Sequence, residues 1–329
     1  MSGETRKLQQ VGGGTYTVSI PKEWATEQSL SAGEAVRVHP DGDGSLVVCR
    51  EEGEEPASAT VGIGELDADA VERTLRVAHA AGIERLTLTA PEGIDADARS
   101  RIAAFARAAT GVRVVEEQDT AVTVRTSLDD AEVSIPRTVV QLQYVTLSLF
   151  RTVVEAALSG TDADGDRIAD RRGEARRLSA LVTRQFGRSL SRPTTAASLD
   201  EGRPEAFDCY RTAQALDGVA AHSADIGAID GARIPADSTD TLRSVADETR
   251  RYIEEATTAV VDAAALEDAQ TLDEGRATLS AAIEDAEAAV GDEGDAARLL
   301  SRLDDCVTAG DRIAAVAREA AIRRDSITE

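Results

Sequence analysis

The chain has 329 residues, 60 acidic against 36 basic, a formal net charge of −24 and only 3 % aromatic side chains. That length exceeds one ordinary core and predicts two or three domains, with packing left to Leu, Val, Ile and Ala. No apolar run approaches the roughly 20 residues a bilayer needs. The start, MSGETRKLQQ, has no apolar targeting segment, and three scattered cysteines (Cys49, Cys209, Cys306) argue against a disulfide framework or zinc site. A cytoplasmic chain without membrane insertion is expected.

Residues 1–50 read as a compact β unit in the order β–β–α–β–β. In GGGTYTVSIPKEW (12–24), Tyr16, Val18 and Ile20 alternate with Thr15, Thr17 and Ser19, which predicts a strand with one buried face. Pro21 suits the first position of a short helix running through Trp24 to about Leu30. Ala35–Val38, the DGDG at 41–44 and Leu46–Val48 then form a hairpin signal, because Asp-Gly supplies the positive φ of tight turns. A unit of this size is too small for a self-sufficient core and is expected to complete it with a second copy. It also holds both lysines of the chain, Lys7 and Lys22, and is nearly neutral, with five basic and six acidic groups.

A linker is expected over 51–60 (EEGEEPASAT), followed by a small α/β domain at 57–130. Its predicted elements are a strand near Thr60–Ile63, a helix over Asp67–Ala81 and a strand at Arg85–Thr89. A helix over Asp95–Ala109 and strands at Val112–Val115 and Ala121–Arg125 complete it. Gly62 and Gly64 make no nucleotide-binding fingerprint. From 135 to 329 strand signals vanish and six helices are predicted, near 137–159, 163–190, 205–230, 238–266, 268–290 and 293–326. The first is apolar nearly all round, which predicts a central buried helix. Leu216, Val219 and Ile226 repeat the spacing of Leu303, Cys306 and Ile313, and RLSAL (177–181) resembles TLSAA (278–282). The pattern predicts two related three-helix bundles.

Several catalytic and ligand patterns fail on inspection. DADGD (162–166) lacks the glycine a calcium loop needs after Asp166, where Arg167 stands, and reads as an acidic helix start. The glycines 12–14 lack the ending of a phosphate-binding loop. His39, His79 and His222 lie in separate regions, so no catalytic constellation is expected and the chain reads as a non-enzyme.

RKLQQVGGGTYTVSIPKEW…LSAGEAVRV (6–38) resembles the SpoVT/AbrB-type swapped-hairpin domain at the front of archaeal PhoU-like phosphate uptake regulators. DRIADRRGEARRLSALVTRQF (166–186) and ALDGVAAHSADI (215–226) are similar to the PhoU repeat. The resemblance implies a multidomain α+β chain: an AbrB-like swapped-hairpin β-barrel at 1–50, the α/β segment, and a PhoU-like pair of three-helix bundles at 135–329. It also implies a homodimer that binds DNA and regulates transcription in phosphate homeostasis, with a phosphate transporter or sensor kinase as partner. The candidate DNA-binding residues are Arg6, Lys7, Thr15 and Lys22, since Arg forks onto guanine or phosphate and Lys acts as a phosphate point charge. The acidic, Lys-poor composition resembles that of halophilic proteins, haloarchaeal ones in particular.

The family's bundles hold metal through carboxylates four residues apart on one helix face. Here Asp217 is followed at that spacing by Ala221, with His222 beside it, and Asp304 by Thr308. Arg171, Arg172 and Gly173 replace an acidic run and leave Asp170 and Glu174. No metal and no cofactor are therefore expected. Two alternatives stay open: a signalling adaptor of the PhoU type that does not bind DNA, and a metal-binding protein.

Overall fold

The computed structural model describes residues 5–40, 45–50, 56–128, 133–191, 202–291 and 294–327. The chain separates into two compact units, 1–55 and 56–329.

In the first unit, β1 (Gln9–Val11) pairs antiparallel with β2 (Thr15–Thr17), and β3 (Val36–Pro40) with β4 (Leu46–Arg50). Helix α1 (Lys22–Glu27) lies between the two hairpins in sequence. It begins one residue later than the sequence predicts, because Pro21 adopts an extended ψ of 131° and caps the helix from outside. It also ends earlier. Ser29 takes a left-handed φ of 56°, and Ser29 N–H and Leu30 N–H close back onto Thr26 O and Ala25 O, the paired bonds that terminate a helix. The expected DGDG turn lies outside the described residues, but the register Pro40↔Leu46 fixes the hairpin around it.

The second unit opens with a four-stranded sheet in the order β5-β6-β8-β7. Strand β5 (Ser58–Gly62) starts inside the expected linker and runs parallel to β6 (Arg85–Thr89). Strands β7 (Val112–Glu117) and β8 (Ala121–Thr126) form a hairpin that sets β8 antiparallel against β6. Helices α2 (Ala68–Ala80) and α3 (Ala96–Ala108) start on Asp67 and Asp95, whose carboxylates accept from Ala70 N–H and Ala98 N–H; such caps satisfy amides the helix leaves unpaired. Val71, Leu75, Ile102 and Phe105 of these helices share a core with Leu86, Leu88, Val122 and Val124 of the sheet.

Among the described residues six long helices follow: α4 (Ile135–Ser159), α5 (Gly165–Ser191), α6 (Arg203–Ile226), α7 (Thr239–Val261), α8 (Leu266–Val290) and α9 (Asp295–Ile327). None is long and apolar enough to cross a membrane. Helices α4, α5 and α6 pack on one another, as do α7, α8 and α9; α6 lies against α9 and α4 against α7. One continuous core joins all six. Leu216, Val219 and Ile226 of α6 and Leu303, Cys306 and Ile313 of α9 are all fully buried. The RLSAL/TLSAA match fares worse. Leu279 is buried but Leu178 only partly, and Ala175, Ser179, Val182 and Phe186 of α5 follow the spacing of Leu272, Arg276, Leu279 and Ile283 of α8. Packing therefore aligns Val182, not Leu178, with Leu279, one helical turn from the sequence match. Helix α4 is buried along most of its surface, as expected, but Val140 and Tyr144 are exposed, a stripe that no other described residue covers.

Helix α5 ties the sheet layer to the helices. Arg184, almost fully buried, donates from Nη1 to His79 O at 2.9 Å and Ile83 O at 3.1 Å, and Arg188 pairs with Glu84. Gly82 ends α2 at φ +82°, where a Cβ would stand 2.7 Å from Arg188 Cγ. His79 is buried beside Phe105, and burial first, then the Arg184 charge, pushes its pKa down to about 4. A histidine held neutral in the fold but free to protonate when unfolded stabilises the protein above its unfolded pKa near 6.5, and that stability is lost as pH falls towards 4. Urea unfolding at about pH 7.5 and pH 5 should show wild type losing roughly 2 kcal/mol more than His79→Phe on acidification. Equal losses would mean that His79 titrates normally.

Candidate nucleic-acid interface

The N-terminal unit has hairpins but no core. Among its described side chains, those of 5–40 and 45–49, none is buried. The face expected to be buried, Tyr16, Val18 and Ile20, is exposed in the single chain, and Leu8, Tyr16 and Leu46 each expose 60 % or more. Only Thr15–Thr17 of the predicted strand is paired.

Pairing and alternation sort these side chains by face, since neighbours two apart and partners directly opposite share a side. In the second hairpin, Val36, Val38 and Leu46 fall on one face with Val48, and Arg37 and His39 on the other. In the first, Gln10 pairs with Tyr16, and Gln9 and Val11 pair with Thr17 and Thr15. Carried one residue outward, the alternation puts Leu8 and Val18 with Tyr16, and two residues outward it puts Lys7 with Gln9, Val11, Thr15 and Thr17. Each hairpin thus has an uncovered apolar side, and the first also has a polar side. An exposed apolar patch of this extent on so small a unit marks an interaction surface.

All four sequence-predicted residues, Arg6, Lys7, Thr15 and Lys22, are exposed. Lys7 and Thr15 share the polar side but not a level: Thr15 sits beside the glycine turn, and Lys7 is at the open end. Arg6 precedes Lys7 outside the strand. Lys22 begins α1, where its carbonyl accepts from Thr26 Oγ1 at 2.9 Å. Sequence reading missed Arg37, exposed on β3; its alternation against Val36 and Val38 was the available signal. Gln9 and Thr17 were missed too, and they extend the polar row between Lys7 and Thr15.

Two of the carboxylates considered as metal ligands are held by arginines: Arg172 binds the Asp217 carboxylate, and Arg171 pairs with Glu174 at 3.1 Å. His222 Nδ1 lies 3.7 Å from Asp305. No three His, Cys, Asp or Glu side chains converge as a metal site among the described residues. In DADGD, Asp164 caps α5, accepting from Asp166 N–H and Arg167 N–H at 3.1 and 3.2 Å.

Comparison with protein families matches residues 9–56 to the family described as antidote-toxin recognition MazE, bacterial antitoxin. The match covers the N-terminal unit and supports an AbrB-type domain there. No curated protein and no solved structure matches the chain.

Proposed function

We propose that the protein is a DNA-binding transcription regulator, cytoplasmic and without catalytic activity, whose first 50 residues pair with those of a second copy as a swapped-hairpin barrel. The observation that carries the reading is the coreless N-terminal unit, with apolar sides that a second copy would cover, in the segment similar to the MazE family. Arg6, Lys7, Thr15 and Lys22 of both copies would then meet the duplex, Lys on phosphates and Arg on phosphates or guanine edges. The charge of −24 does not oppose this, since the unit itself is nearly neutral and salt screens the remaining acids over about 10 Å or less.

For the helical region the reading is a PhoU-like pair of three-helix bundles that receives a signal linked to phosphate uptake, through a phosphate transporter or sensor kinase. Its support is the division of six helices into two sets of three and the equal burial of the α6 and α9 repeat positions. A second reading, toxin recognition by the same unit, is favoured by the description of the matched family.

Charge reversal tests the DNA reading. Lys7→Glu with Lys22→Glu touches two exposed side chains, four per dimer, so folding should be unaffected. Genomic occupancy should collapse, and the slope of log affinity against log salt should become shallower by about 4. Unchanged occupancy would leave an adaptor or toxin-binding role. Chromatin immunoprecipitation with and without phosphate starvation tests the phosphate link.

A further inference from the structure

A cavity of ≈ 450 Å³ lies between α2 and the end of α3 on one side and α5 and α6 on the other. Its size falls in the range of small-molecule pockets, and such pockets combine apolar walls with a few convergent polar groups. Phe105 and His79 are buried and form its inner wall, while Arg76, Arg176 and Arg177 are exposed and stand towards solvent. His79 Nε2 has no hydrogen-bond partner among the described residues.

Charge around this cavity runs against that of the chain. Arg76 is paired with Glu72 and Arg172 with Asp217. Arg176 and Arg177 form no hydrogen bond or ion pair with any described residue. Elsewhere carboxylates are in excess and arginines find them, as in Arg211–Glu319 and Arg250–Glu254. Three guanidinium groups thus line the cavity against one carboxylate, Asp217, which Arg172 already holds, and Glu72 is shared by Arg76 and Arg101. Partial burial, followed by the neighbouring charges of Arg172 and Arg76, pulls the Arg176 pKa down against the smaller opposing pull of Asp217 and Glu72. Gly173 adds room on the α5 wall: in place of its missing side chain the nearest neighbour is Arg177 Nη1, 3.6 Å from where a Cβ would be.

We propose that this cavity binds a small organic anion, a phosphate or carboxylate head held by Arg176 and Arg177 and carried on an apolar body seated towards Phe105. The guanidinium fork suits either head group. The site lies within the 56–329 unit and uses no residue of the N-terminal unit, so it stands apart from the DNA reading.

Titration calorimetry of the full chain with phenyl phosphate, benzoate and inorganic phosphate tests it. One phenyl phosphate or benzoate site per chain is expected, at least about tenfold tighter than inorganic phosphate because only the organic anions fill the apolar wall. Whichever of the two binds more tightly identifies the head group. Arg176→Gln with Arg177→Gln, both exposed, should weaken that binding by at least about tenfold with an unchanged melting temperature. Ala108→Glu, an added negative charge on the lining, should weaken it independently. No saturable binding by either organic anion, equal affinity for inorganic phosphate, or variants that bind as wild type would each overturn the proposal. The titration contains no DNA, so its failure leaves the regulator reading intact, and loss of DNA binding leaves this one intact.

Discussion

Tyr16→Asp with Val38→Asp is expected to turn a stable dimer into a monomer whose N-terminal unit is unfolded and whose 56–329 unit melts as before. Tyr16 lies on the apolar side of the first hairpin and Val38 on that of the second, and both are exposed in the single chain. Fully burying an aliphatic or aromatic side chain contributes about 1.5–3 kcal/mol. Leu8, Tyr16, Val18, Val36, Val38 and Leu46 from each of two copies would therefore supply ample driving force, even after the cost of association. An isolated hairpin is marginal in water, and two of them with a six-residue helix do not make a core. Dimerisation and folding of this unit should therefore be one event. Each aspartate would bring a charge into the shared core, and two per copy should weaken association by a factor of about 1000 or more. Light scattering at micromolar concentration should give twice the chain mass for wild type and the chain mass for the variant. A monomeric wild type would remove the basis of the DNA reading, because the cations of one copy would then act alone.

How much could be read from sequence depended on whether the partner of each surface lies in the same chain. Helices α2 and α3 were legible to within a residue because Asp67 and Asp95 are local signals and their apolar stripes face a sheet formed by neighbouring residues. Strand β6 coincides with its expected range, since Leu86 and Leu88 alternate with threonines. In the N-terminal unit the alternation of Tyr16, Val18 and Ile20 was equally clear, but these side chains are exposed in the single chain and the strand ends at Thr17. Val140 was misread for the converse reason: an apolar stripe reveals nothing about whether a neighbour arrives. The cavity was invisible because Arg76, Phe105, Arg176 and Asp217 come from four helices, and no spacing rule links positions so far apart. The basic candidates were legible only as types; which side Lys7 and Thr15 share required the register.

Arg184→Ala is expected to be the most damaging single substitution in the 56–329 unit. The side chain is 1 % exposed and reaches from α5 to the carbonyls of His79 and Ile83, which flank the end of α2. Truncation removes two charge-assisted hydrogen bonds and leaves a cavity where the stem packed. Together these cost about 3–5 kcal/mol, a fall in melting temperature of roughly 6–15 °C for a unit of this size. Arg184→Met separates the two contributions: it keeps most of the volume but no donor, and should lose about half as much. Deuterium exchange should rise first in α2 and β6, which meet at the Ala81–Glu84 turn that Arg184 and Arg188 hold. Helices α7 to α9, which share a core with α5, should respond later and less. Both variants also remove the positive charge that disfavours protonated His79, so its folded pKa should rise towards 6.5 and the stability lost on acidification should be smaller than in wild type, although burial still keeps the ring below its ordinary pKa. Uniform exchange across the unit, or melting within about 1 °C of wild type, would mean that apolar contacts alone hold the sheet layer against the helices.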